Sequence, residues 1–396
     1  MSAHTTTSPI PQQIHWEENG VQHSARWRSE AGMPPPKRVV IADDRTNADL
    51  AYRLACEGTA LLWRGDFQNA RQLLQALARR ADHKDKSPKK KAKSAKNAKP
   101  PATPTEAFHL HRQAQSQRAR TLAMLLIPFE DGYTIPLRRA PDVQLACNEA
   151  YGRYEEPYIA SLRELLGVIG AHEWRRTGVE IPALNARIHP HYGVFSPVRG
   201  EYVQLVADAP LPAAVTNTSL AFDIGVGTGV LSAVLAQRGI QRVIGTDQDA
   251  RALSCARENI VRLELDQRVE LQVADLFPQG RAPLVVCNPP WVPARPSSAL
   301  EYAVYDPESR MLRGFLSGLT EHLAPGGQGW LILSDLAEHL GLRPRTELLE
   351  WIAAAGLKVI ERHDVRPTHP RAADASDPLH KARAAEVTSL WRLTAA

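Results

Sequence analysis

The chain holds 396 residues, more than one domain usually does, and 43% of them are hydrophobic, so two folded units with sizeable cores are expected. No apolar run approaches the roughly 18 to 20 residues of a membrane-spanning helix; the longest candidate, Leu122 to Ile127, is stopped by Pro128. The opening stretch is rich in Thr, Ser and Pro without the basic-then-apolar layout of a secretory leader, and Cys56, Cys147, Cys255 and Cys287 form no C-x-x-C pair. A cytoplasmic protein is expected, with neither a disulfide framework nor a metal site suggested.

The net charge of +5 resembles a nucleic-acid signal until it is located. Residues 84–99 carry eight lysines against one aspartate, and the remaining 40 basic and 42 acidic residues nearly cancel. The excess therefore belongs to one segment and not to a basic catalytic face.

Residues 1–45 show little periodicity and a Pro34-Pro35-Pro36 break, which predicts an irregular surface segment. Residues 46–83 read as helical: one stretch begins near Thr46 or Asn47, with Leu50 and Leu54 a turn apart. A second follows Asp66, a plausible N-cap, with Ala70, Leu73, Leu74 and Leu77 forming its apolar stripe. Residues 84–104, made of Lys, Ala, Ser and Pro, bury too little apolar surface to offset ordering and are predicted to be a disordered linker, one whose lysines can also attract a polyanion. Residues 105–190, with a helix predicted from Pro157 to about Gly167, complete a mainly helical accessory domain.

From Ser219 the pattern becomes regular. Strand-length apolar runs at Leu220–Ile224, Arg242–Thr246, Val269–Ala274, Leu284–Cys287 and Trp330–Ser334 alternate with helical stretches at Val230–Arg238, Asp249–Leu265 and Pro307–Leu323. This alternation predicts a parallel sheet with helices on both faces. Leu357–Arg366 and Val387–Thr394 read as two final strands.

The first strand ends in Phe222-Asp223-Ile224-Gly225-Val226-Gly227-Thr228-Gly229. Glycines at alternate positions let the backbone turn tightly and approach a ligand with no Cβ in the way. A dinucleotide fingerprint needs its third glycine where Val230 stands, and the Walker lysine is absent, so NAD and ATP readings both weaken. The second strand ends in Asp247, about twenty residues on, where a carboxylate can accept both hydroxyls of a ribose. The third ends in Asp275-Leu276, an acid for an exocyclic amine and an apolar side chain for the face of a base.

The fourth strand ends in Asn288-Pro289-Pro290-Trp291, which faces the same crevice if the sheet is parallel. Two prolines keep the backbone out of regular pairing. The Asn288 side-chain oxygen and the Pro289 carbonyl can accept both hydrogens of a planar NH2 group, and they favour the more pyramidal nitrogen that forms as its lone pair attacks a methyl carbon. Trp291 can stack on the acceptor plane. No strong general base is required, because positioning supplies much of the acceleration.

With these motifs in this order, residues from about 190 onward resemble the class I methyltransferases of the small-methyltransferase and HemK-type glutamine N5-methyltransferase group. The resemblance implies a seven-stranded, mostly parallel Rossmann-like sheet with an antiparallel last strand and S-adenosylmethionine as cofactor. It puts Asp223, Gly225, Val226, Gly227, Thr228, Gly229, Asp247, Asp275, Leu276 and Asn288 at the cofactor, and Asn288, Pro289, Pro290 and Trp291 at the acceptor, with Asn288 and Pro289 acting in catalysis. Trp291 replaces the family's usual tyrosine, and Arg199 and Glu201 only loosely match its Pro-Arg-Pro-Glu-Thr-Glu stretch. The implied acceptor is a protein glutamine; an exocyclic base amine of RNA or DNA suits the same tetrapeptide. A non-catalytic scaffold that merely binds the cofactor is a third reading.

Overall fold

The computed structural model of the protein describes residues 12–84, 101, 103–198, 200–215, 219–296, 301, 303–368 and 374–396. Most of the expected linker, residues 85–100, lies outside them, as does Arg199. The chain divides into two compact units, one of residues 1–100 and 112–172, the other of residues 101–111 and 173–396. Among the described residues no helix is long and apolar enough to cross a membrane.

The first unit corrects two expectations, that residues 1–45 are irregular and that the accessory region is mainly helical. It is organised by a six-stranded sheet of order β1-β2-β6-β5-β4-β3: β1 (Gln13–Glu18), β2 (Val21–Trp27), β3 (Arg38–Ala42), β4 (Thr59–Trp63), β5 (Leu125–Phe129) and β6 (Tyr158–Ser161). The β1–β2 hairpin closes on Asn19 and Gly20, both at positive φ (54° and 78°), as a primed turn requires. In β1 only Ile14 is fully buried, so the strand signal is a faint alternation. The five buried residues of β4 fall between α1 (Ala48–Cys56) and α2 (Phe67–Lys84), where helical periodicity on either side masks them.

Both helices start where the sequence predicts. Asn47 accepts from the amides of Asp49 and Leu50, and Asp66 from that of Gln68. After α3 (Pro104–Ala123) and α4 (Gln144–Tyr151), the stretch predicted as helix from Pro157 opens with β6 instead, because Tyr158 to Ser161 is wholly buried against β5; helix α5 (Leu162–Thr177) follows.

The second unit begins earlier than predicted. Phe108, 3% exposed on the first turns of α3, belongs to a cluster with Val292, Leu340 and Leu379, and the Thr105 hydroxyl donates to the Leu340 carbonyl. A short hairpin, β7 (Val179–Ile181) and β8 (Ala186–Ile188), and helix α6 (Glu201–Asp208) precede the large sheet. That sheet contains β9 (Leu220–Ile224), β10 (Arg242–Asp247), β11 (Val269–Val273), β12 (Ala282–Cys287), β13 (Leu323–Ser334), β14 (Leu357–Val365) and β15 (Thr388–Ala395). Its order is β11-β10-β9-β12-β13-β15-β14, parallel from β11 to β13, with β15 antiparallel to both of its neighbours. This is the predicted seven-stranded, mostly parallel α/β fold. The connecting helices are α7 (Val230–Gln237), α8 (Ala250–Arg262), α9 (Arg310–His322), α10 (Leu336–His339) and α11 (Arg345–Ala354), with α12 (His380–Ala385) before β15. Two apolar clusters cover the two faces, one built on α6 and α7 and the other on α9 and α11.

A buried polar pair, Asp223 with Ser232, lies inside this core. Asp223, 1% exposed, accepts a 2.6 Å hydrogen bond from the Ser232 hydroxyl of α7, and burial pushes its carboxyl up to about 6. The folded state thus binds this proton more tightly than the unfolded chain, so stability falls as pH rises from near 4 through 6. Two units of elevation correspond to about 3 kcal/mol. Asp223→Asn keeps an acceptor for Ser232 and cannot titrate. Urea midpoints of the two proteins between pH 4 and 8 should therefore diverge, with the unsubstituted chain losing more stability; parallel curves would contradict the buried-proton account.

The α9–β13 contact is equally tight, since a Cβ on Gly329 would collide with the side chain of Leu319, itself 0% exposed. Gly329→Ala is expected to cost roughly 1–3 kcal/mol by overpacking and Leu319→Ala about 2–5 kcal/mol by leaving a cavity. The double variant should lose less than the sum, as read by denaturant unfolding.

Candidate active site

Strand register assembles the site. Ile224 at the end of β9 pairs with Thr246 of β10 on one side and Cys287 of β12 on the other. The next residues, Gly225, Asp247 and Asn288, therefore leave the sheet side by side. The order of connections reverses between β9 and β12, which opens the crevice beyond the carboxyl ends of parallel strands where ligands bind.

The glycine loop is pinned to β10 by the amides of Gly225 and Val226, which donate to the Thr246 carbonyl at 2.9 and 2.8 Å. At Gly225, φ is +76° and a Cβ would lie 2.7 Å from Cε of Met311, so glycine is favoured there. Val226 and Thr228 are both buried. Asp223 sits beneath the loop on Ser232, supporting it from the core. From behind, Asn259 ties the loop to the incoming chain: its amide accepts from the His189 N–H (2.8 Å) and donates to the carbonyls of His189 (3.2 Å) and Thr228 (3.1 Å).

Asp247 is half-buried. One carboxylate oxygen accepts from the Gly227 amide (3.1 Å) and the other from that of Asp249 (3.0 Å), and the Gln248 amide also bonds the carboxylate. Burial holds its carboxyl above the usual range. Asp275 is exposed beside Arg310 at 3.4 Å. Leu276, at φ +75°, packs toward Gly314 of α9 while its carbonyl accepts from the Thr246 hydroxyl. These residues fit an adenosine-bearing cofactor: two carboxylates on adjacent strand ends, and a backbone turn where a Cβ on Gly227 would meet nothing nearer than 3.9 Å.

On the acceptor side Pro289 is buried and Asn288, Pro290 and Trp291 are half-buried. The Trp291 indole N–H donates to Asn288 Oδ1 at 2.9 Å, a bond that sequence reasoning did not anticipate. An indole can only donate, so the atom facing it must be the amide oxygen. The loop continues into a brace. Val292 N–H donates to the Val304 carbonyl and Asp306 N–H to that of Val292, while the Asp306 carboxylate accepts from the amides of Met311 and Leu312. Arg343, 3% exposed, donates to the Trp291 carbonyl (3.3 Å) and the Ser309 hydroxyl (3.2 Å).

Asp306 was detectable as an acid-proline pair ahead of an amphipathic helix. Met311, Asn259 and Arg343 carried no local signal. Glu201 accepts from the amide and hydroxyl of Thr368 (2.8 and 3.1 Å), which fixes the start of α6.

The family model of the methyltransferase small domain matches residues 185–345. The ribosomal protein L11 methyltransferase of Tolumonas auensis is 31% identical over 137 residues, which are 34% of this chain and 44% of that protein. The release factor glutamine methyltransferase of Cereibacter sphaeroides is 35% identical over 138 residues, 34% of this chain and 46% of that protein. A tRNA1(Val) (adenine(37)-N6)-methyltransferase of Shewanella sp. is 28% identical over 178 residues, 41% and 71% of the respective chains. This chain thus spans less than half the length of the first two relatives. Among solved structures, a putative RNA methyltransferase from Pyrococcus horikoshii aligns with 57% of this chain and 98% of its own, at 16% identity and a TM-score of 0.34. Within the C-terminal unit of this chain, residues 185–345 are thus similar to the methyltransferase small domain, and the large sheet has the seven-stranded, mostly parallel order expected of such a domain.

Proposed function

We propose that the chain methylates a planar NH2 group, with a protein glutamine side-chain amide as the acceptor. The observation that carries this reading is Asn288: register sets it beside the glycine loop, and the donor-only indole of Trp291 fixes its amide with the oxygen defined. One lone pair of that oxygen is taken by Trp291, leaving the other for one acceptor hydrogen, and the Pro289 carbonyl is available for the second.

In this reading Gly225, Val226, Gly227, Thr228 and Gly229 shape the cofactor's seat, with Asp223 underneath. Asp247 takes the ribose, and Asp275 and Leu276 the base. Bound S-adenosylmethionine supplies an electrophilic methyl carbon on a sulfonium. Asn288 and Pro289 hold the acceptor nitrogen with its lone pair in line, Pro290 fixes the loop, and Trp291 limits water.

The glutamine acceptor is favoured by relatives named release factor glutamine methyltransferases, at 35% and 39% identity, and by the near-neutral charge outside residues 84–99. The lysine run and the relatives named as tRNA adenine-N6 methyltransferases favour an exocyclic base amine as the second reading. A cofactor-binding scaffold would have no need of Asn288 and its fixed orientation.

Radiolabelled S-adenosylmethionine added with the protein to extract from cells lacking it separates these readings. Label sensitive to protease and resistant to nuclease supports a protein acceptor, label lost to nuclease supports the base amine, and cofactor binding without incorporation supports the scaffold. Asn288→Ala should lower turnover roughly 100-fold while leaving cofactor affinity within about threefold. Asp247→Ala should weaken cofactor binding by roughly 10- to 100-fold, as for hydrogen bonds to a charged group; titration calorimetry showing undiminished affinity would remove Asp247 from the ribose.

A further inference from the structure

Arg343 is a charged side chain placed where an apolar one would be cheaper. It is 3% exposed, lies just after α10, and its own amide donates to the Ala337 carbonyl. Its guanidinium donates to two neutral acceptors, the Trp291 carbonyl and the Ser309 hydroxyl. Burial depresses its pKa, with the carboxylates of Glu338, Asp306 and Glu347 acting the other way. Taking a guanidinium out of water to bind neutral groups is a poor source of stability, whereas its planar fork can fix two points at a defined separation.

Those two points are informative. Ser309 stands at φ +53° immediately before α9, the helix that brings Met311 over Gly225. Trp291 is held at both ends: its carbonyl by Arg343, its indole N–H by Asn288 Oδ1. The chain of contacts runs from Arg343 through Trp291 to the Asn288 amide. We propose that Arg343 is a positioning residue for methyl transfer, setting through Trp291 which way the Asn288 amide faces the acceptor nitrogen. The inference rests on the methyltransferase reading above for its kinetic consequence and on the hydrogen bonds of Arg343 and Trp291 for the loop it fixes.

Two measurements keep the two claims apart. In the protein without ligands, hydrogen exchange is followed in peptides covering residues 288–296 and 223–230. Arg343→Met, similar in length but without charge or donors, should accelerate exchange in the first peptide by about tenfold and leave the second unchanged. Equal acceleration in both, or in neither, overturns the proposal whether or not the chain is a methyltransferase. In the extract assay, Arg343→Met should lower the maximal transfer rate roughly ten- to hundredfold with the apparent KM for extract and the calorimetric Kd for S-adenosylmethionine each within about twofold. Arg343→Lys, which can reach only one of the two acceptors, should recover part of the rate. Parallel loss of cofactor affinity and rate in both variants would mean that Arg343 merely supports folding. Absence of cofactor binding in the unsubstituted chain would defeat the methyltransferase reading alone, leaving the exchange experiment to decide the rest.

Discussion

The parallel register of β9 with β10 and β12 is the constraint on which the site depends. Because Ile224 pairs with Thr246 and Cys287, the glycine turn, Asp247 and Asn288 emerge at one level of the sheet. A slip of one residue would turn Phe222, Ile224 and Cys287 from one covered face toward the other and stagger the three strand ends. Both faces of these strands are packed, by the α6–α7 cluster on one side and the α9–α11 cluster on the other, so the site's alignment is enforced by the whole core.

Around that line the chain builds two loops of different character. The glycine loop is fixed by backbone bonds to Thr246 and by polar groups sealed beneath and behind it, Asp223 with Ser232 and Asn259 with His189. The acceptor loop is fixed from the other side by the segment ending at Asp306 and by Arg343. Met311 belongs to both, since it follows the capped turn of the acceptor side and its methyl group rests on Gly225. A shift of α9 would be felt at the glycine loop and at the loop carrying Trp291 together.

The second unit was legible because its signals are local: an apolar run, a turn residue and an acid or amide at each strand end. Strand limits moved by only a residue or two, except that β13 begins at Leu323, several residues before the apolar run that announces it. The first unit was far less legible. Its hairpin does carry the Asn-Gly pair that favours a primed turn, at Asn19-Gly20, but β1 presents one buried residue and β2 is mostly exposed, so the flanking alternation is faint. Strand β4 is a buried five-residue run between helices, which periodicity alone cannot separate from them. Arg343 and Asn259 were invisible for another reason, since their meaning lies in partners 52 and 70 residues away in sequence.

The strand order of the large sheet also has a consequence in time. Strand β15 follows every other strand in the sequence yet lies inside the sheet, paired to β13 on one edge and β14 on the other. During synthesis β14 leaves the ribosome with no edge to join and must wait until residues 388–395 have emerged. Five parallel strands and the crevice residues can pair before then, while the exposed edge of β13 stays open to wrong partners. Closure of this unit is therefore a late event, set by the arrival of β15 and not by the motifs that mark its site.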